Sequence, residues 1–181
     1  MKIFCAVLLL GALLVGGPVR AQNVSSQPGA PNPLDVIPDK MPFDVPYGPP
    51  ISLDRAQGLI TAAIAEARRH DWKMNVAVVD AGGNLVTFAR MDGAQLASGA
   101  IAEHKARTAA TFRRDTKLFE NGVQGGMLYQ LSLDGVIASR GGIPLVEDGK
   151  LIGAIGASGG AGSQDEVCAK AGAAALNKGA S

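Results

Sequence analysis

Leu53, Ala56, Ile60, Ala63, Ile64 and Ala67 recur at helical spacing. They predict an amphipathic helix over 53–69 with Ser52 as its N-cap. The period then changes. Residues 74–80 (MNVAVVD) and 85–90 (LVTFAR) are β-rich, and Ala81-Gly82-Gly83-Asn84 between them is a turn signal, so 74–90 reads as a hairpin. Helical spacing returns over 99–113 with Ser98 as a cap. Ile101, Lys105, Thr108 and Phe112 form one stripe there, and Ala102, Ala106, Ala109 and Ala110 a smooth second face.

Residues 115–140 hold Gly122, Gly125 and Gly126 and read as short helical turns and loop. A second hairpin follows, 143–146 and 151–157, joined by Asp148-Gly149. Gly153 and Gly156 inside its return strand imply close packing. Ser163 with Glu166 three residues on reads as a capping box opening a last helix, with Val167, Ala171, Ala174 and Ala175 on its apolar side. The order helix, hairpin, helix, irregular segment, hairpin, helix predicts an α+β fold with an antiparallel sheet.

The ends of the chain change this picture in one respect. Lys2, the apolar run 3–15 and Val19-Arg20-Ala21 have the layout of a signal peptide over 1–21. The run is shorter than the roughly 20 residues of a membrane span. The expectation is a periplasmic or secreted protein with no stable membrane anchor after cleavage. Residues 22–50 hold eight prolines among Gly, Ser, Asn and Gln. They read as an extended arm or linker over 22–51, either a spacer or an arm laid on a neighbouring subunit, ahead of one domain over 52–181.

Charge and cysteine content narrow the function. Cleavage after Ala21 leaves 15 basic against 16 acidic residues, too balanced a charge to hold nucleic acid. Cys168 is then the single cysteine, so no internal disulfide and no cysteine-built metal site is expected.

Several side chains remain as candidates for chemistry. The glycine-rich run 153–160 lacks the strand-to-helix context of a dinucleotide fingerprint, and no hydrolase triad is read. Ser158, Gly159 and Gly160 lead into a helix N-terminus, where free N–H groups can hold a carboxylate. His70, at a predicted helix end, suits a structural role. His104, on the edge of the Lys105 and Thr108 stripe, could ligate iron as a neutral imidazole or simply be a solvated side chain. Asp80, Arg90 and Asp92 flank the first hairpin as turn caps, ion pairs or a pocket rim. Arg140 could offer its guanidinium to a carboxylate or stand in solvent.

The stretch 76–94 (VAVVDAGGNLVTFARMDGA), the helix motif Lys105-Ala106-Arg107-Thr108-Ala109, Gly141-Gly142-Ile143-Pro144-Leu145, and the run 153–160 followed by Asp165-Glu166 occur in an order that resembles the GlcG/HbpS-like family of haem-degrading-domain proteins. The resemblance covers about 52–178. It implies a profilin-like antiparallel β-sheet flanked by helices and a homo-oligomer. It also implies haem as cofactor, in haem binding linked to degradation or redox sensing. Related domains are fused to a corrinoid adenosyltransferase, and others lie beside glycolate-use genes. The family's iron ligand is not a fixed motif residue, so His104 stands on its position alone.

On this reading haem lies in an apolar cleft between the second helix and 115–142. Lys105 and Arg140 meet the propionates, Thr108 lines the cleft and His104 approaches the iron. Degradation would need dioxygen and electrons, and the sequence shows no flavin or iron–sulfur motif to supply the latter. Two other readings stay open. One is an enzyme acting on a small organic acid held by Arg90, Ser158 and Gly159, with Asp80 or Asp92 as acid or base. The other is an oligomeric accessory protein with a vestigial pocket.

Overall fold

The computed structural model describes residues 35–178. The segment read as a signal peptide, its expected cleavage site and the arm's prolines up to Pro33 lie outside the described residues. The chain divides into Met1–Asp39 and a compact unit Lys40–Ser181. The second unit carries α1 (Leu53–Arg69), β1 (Asn75–Asp80), β2 (Leu85–Arg90), α2 (Ser98–Thr111), α3 (Lys117–Gln124), β3 (Gly142–Glu147), β4 (Lys150–Ser158) and α4 (Gly162–Ala174). A 3₁₀ turn, Leu128–Ser132, follows α3, and another, Ala175–Lys178, follows α4. The fold is α+β, as the element order predicts.

One antiparallel sheet runs β2-β1-β4-β3. Helices cover both faces, so the two central strands are buried almost throughout. Val76 and Val78 of β1 pack with Leu59, Ile60 and Ala63 of α1 and Cys168 and Ala169 of α4. Ala77 and Val79, pointing the other way, pack with Ala102, Ala106, Ala109 and Ala110 of α2. The alanine face lets α2 lie almost on the sheet backbone. A Cβ on Gly156 would collide with the carbonyl oxygen of Ala102, and one on Gly142 with that of Lys105. The same logic joins α1 to α4, where Gly172 sits against Ile155 and the Leu59 carbonyl. A bulge at Ile152, where Leu145 faces Gly153 but Val146 faces Leu151, shifts the alternation of β4. Both Leu151 and Ala154 therefore face α2.

The arm does more than the sequence reading assigns it. β1 ends at Asp80, opposite Gly153, leaving the first residues of β4 without a partner on that side. Residues 46–48 take that place. Leu151 N donates to the Pro46 carbonyl (2.8 Å), and Gly48 N donates to that of Leu151 (2.7 Å). The Tyr47 hydroxyl donates to the Thr111 carbonyl (2.9 Å), and Arg113 donates to the Val45 carbonyl (3.0 Å). The two aromatics of the arm thus pack on their own domain, and the compact unit begins ahead of residue 52.

Three end signals also differ. Ser52 holds the N-cap position of α1 with no capping bond from its side chain. Ser98 lies inside α2, where its hydroxyl accepts from Gln95. At α4 the N-cap lies two residues ahead of Ser163, and only the return half of a capping box is made. The N-cap is Ala161, whose N–H donates to Gln164 (2.8 Å), and Ser163 is an exposed first-turn residue. The buried side of α4 accordingly comprises Asp165, Glu166, Cys168, Ala169 and Gly172, while Val167 is exposed.

Candidate functional site

Lys105 lies on the alanine face of α2, not on a ligand-facing stripe. Its Nζ donates to Asp165 Oδ2 at 2.7 Å, and the two side chains are 1% and 3% exposed. A long cation inside an apolar face needs an anion, and α4 delivers it. Asp165 Oδ1 accepts the Gly160 N–H (3.1 Å). The structure therefore makes Lys105 a core residue with no charge left for a propionate.

Thr108 is also fully buried. Its hydroxyl donates to the Gly135 carbonyl (2.8 Å) and accepts the Ile137 N–H (3.1 Å). It pins the 133–137 loop to α2. His104, one turn earlier on the same helix, is half-buried, and its imidazole has no hydrogen bond or ion pair among the described residues. Leu128 and Leu131, ahead of the pinned loop, and Leu133, at its start, are exposed.

Arg140 is committed to protein carboxylates. Its Nε donates to Glu120 (2.7 Å), its backbone N–H to the same carboxylate (2.7 Å), and Nη1 reaches Glu166 (3.5 Å). Glu166 is shared with Lys117 and Lys170. Burial pushes its carboxyl up, and the bonds from the two lysines outweigh this and hold it below its ordinary value. The cluster joins α3, the approach to β3 and α4, so Arg140 is a structural hub.

The residues of the small-acid reading separate. Asp80 caps its own turn: Oδ1 accepts the N–H of Gly82 (2.8 Å) and of Asn84 (2.9 Å). Arg90 and Asp92 come together with Ile64, Arg68, Lys73 and Met91 around a cavity of about 320 Å³. Ser158 ends β4 in register with Asn75 and is only 4% exposed. A Cβ on Gly159 would collide with the Lys73 carbonyl. Residues 156–160 spell Gly-x-Ser-x-Gly, yet Ser158 is a regular strand residue and not an exposed nucleophile on a strained turn. The N–H groups expected to hold an anion ahead of α4 are taken by Asp165 and Gln164.

His70 ends α1, contacts Glu66 at 3.2 Å and stacks on Trp72. Cys168 is a buried thiol pushed up to about 11 by burial and by Asp165, so it is neutral at physiological pH. Among the described residues no group of three or more His, Cys, Asp or Glu is placed to hold a metal ion, and no helix is long and apolar enough to cross a membrane.

The sequence reading missed Arg114. Its guanidinium lies 3.6 Å from the ring centre of Phe43 and 5.0 Å from that of Phe119. These rings, with Leu118, Met127 and Tyr129, line a cavity of about 440 Å³ beside α3. The one available signal was an aromatic placed in the proline-rich arm.

Comparison with known proteins agrees with this architecture. Escherichia coli GlcG is 41% identical over 108 residues, 60% of this chain and 81% of GlcG. The structure of a PduOC–haem complex superposes with a TM-score of 0.65 at 33% identity, covering 71% of this chain and 96% of that one. A double mutant of Streptomyces reticuli HbpS superposes with a TM-score of 0.65 at 30% identity, covering 82% and 99%. The family described as haem degrading protein HbpS-like matches residues 51–174, and the chain belongs to it.

Proposed function

We propose that this chain is an exported haem-binding protein that holds haem on the face built by α2 and the 128–137 segment, with His104 as iron ligand. The observation that carries the reading is the placement of His104. Its half-buried imidazole stands one turn from Thr108, which fixes a loop that follows exposed leucines. Haem needs an accessible donor for its iron and apolar surface for its ring; in this reading His104 supplies the first and the exposed leucines of 128–133 the second. The relatives solved as a haem complex and as HbpS support the same ligand.

The fit extends to the iron ligand and the ring, and not to the propionates at Lys105 and Arg140, whose charges are spent on Asp165, Glu120 and Glu166. The propionates are therefore assigned to solvent. Bound haem would supply redox and oxygen chemistry. The chain's own part is to present His104, to hold the loop through Thr108 and to keep water from one side of the ring. Degradation requires an external electron donor, and a sensing role requires only binding. The exposed row Met127, Leu128, Tyr129, Leu131 and Leu133 supports assembly into a homo-oligomer. A haemin titration of the processed protein, followed at the Soret band, tests the reading: saturation at a fixed ratio is expected, and non-saturating adsorption would remove it.

One observation favours a second reading. The Arg68, Lys73, Arg90 and Asp92 cavity places three cations and one carboxylate together, a composition suited to a small organic acid. Turnover of small hydroxy acids lost in Asp92→Asn, with the fold intact, would support it over haem binding.

A further inference from the structure

We propose that the cavity beside α3 binds a small amphiphilic carboxylate, an apolar body carrying one carboxylate group, through the guanidinium of Arg114. The cavity, about 440 Å³, has the size of a small-molecule site, and Phe43, Leu118, Phe119 and Met127 make much of its wall apolar. The inference goes beyond the haem reading and stands without it. His104 lies ten residues earlier on the chain and is not among the residues lining this cavity.

The geometry of Arg114 selects the ligand's charged end. Two aromatic rings flank the guanidinium, with the centre of Phe43 3.6 Å and that of Phe119 5.0 Å from its carbon. Its Nε donates to the Phe112 carbonyl (3.1 Å). The two terminal nitrogens donate no hydrogen bond among the described residues. A planar carboxylate can meet those two nitrogens with two parallel hydrogen bonds.

Charge balance points the same way. Arg114, like Arg68, Arg90 and Arg113, makes no ion pair among the described residues, and of these four it is the one that lines this cavity. Burial pulls its guanidinium below the ordinary arginine value. A half-buried cation without a counter-ion, at the wall of an apolar cavity, is a standing electrostatic cost that a bound anion removes. A phosphate would bring a heavily hydrated dianion against phenyl and thioether groups. A carboxylate on a hydrocarbon or aromatic body suits both halves of the cavity.

Isothermal titration of the full chain with octanoate, phenylacetate and 3-phenyllactate, each beside its neutral amide, tests the assignment. Saturable binding of at least one acid is expected, with its amide and Arg114→Lys weaker by roughly tenfold or more, because the lysine keeps the charge but loses the fork. Met127→Trp, which fills the cavity from an exposed wall position, should abolish binding, and His104→Ala should bind as wild type does. If Arg114→Lys fails to fold by circular dichroism, the amides and Met127→Trp decide. The assignment is overturned if no acid saturates below about 10 mM. It is also overturned if acid and amide bind alike, if Met127→Trp binds unchanged, or if His104→Ala loses the acid.

Discussion

Lys105 Nζ and Asp165 Oδ2 meet at 2.7 Å in the interior, fastening α2 on one face of the sheet to α4 on the other side of β3 and β4. Neither charge reaches solvent, so each depends on the other. Removing one partner strands the second in a low-dielectric interior, a cost of about 3–5 kcal/mol. Lys105→Met should therefore lower the urea midpoint sharply with an unchanged slope. Lys105→Met combined with Asp165→Leu should recover much of the loss, since two apolar groups leave no buried charge. Equal stability of Lys105→Met and wild type would show that the pair carries no such role.

The 46–48 segment completes β4 where β1 stops, which makes the end of the proline-rich arm part of the folded unit. Two backbone bonds and the Tyr47 hydroxyl bond are lost when it is removed. A chain beginning at Ser52 also loses the Ile51 N–H bond to the Ile152 carbonyl, the Arg113 bond to Val45 and the buried Ile51 side chain, so at about 1 kcal/mol per bond it should be at least roughly 5 kcal/mol less stable than one beginning at Lys40. The Lys40 chain should match one beginning at Gln22. Thermal melts of the three chains distinguish this from an arm that only spaces the domain.

Glu166 links stability to pH. Its folded carboxyl sits below the unfolded value near 4.5, because Lys170 and Lys117 outweigh its burial. The stabilisation is present above the unfolded value and is lost as pH falls through the folded one. Asp115 opposes it: burial raises its carboxyl, so its contribution grows as pH falls. Denaturation midpoints between about pH 5 and pH 3 should fall less steeply in Glu166→Gln and more steeply in Asp115→Asn. Parallel acid limbs in all three proteins would contradict the assignment.

The secondary structure was legible because its signals are local. The period change after Ala67, the Asp148-Gly149 turn and the alanine face of α2 each specify an element from a few adjacent residues. The site was less legible because its contacts are long-range. Lys105 and Asp165 are 60 residues apart, and no short pattern tells a buried paired lysine from one that greets a ligand. Its place between Ala102, Ala106 and Ala109 was the available clue. Arg140 was ambiguous for the same reason, with Glu120 and Glu166 20 and 26 residues away. Arg114 escaped notice because Phe43 comes from an arm whose composition reads as a linker.

His104 carries the central claim, and a haemin titration of His104→Ala beside the wild type tests it most directly. The account predicts a saturable Soret shift at a fixed haem-to-chain ratio in the wild type. It predicts a displaced or lost band in His104→Ala, with circular dichroism and thermal midpoint unchanged because the imidazole has no partner among the described residues. An identical saturable Soret band in the two proteins would contradict His104 as the iron ligand, and weak non-saturating adsorption in the wild type would contradict haem binding itself.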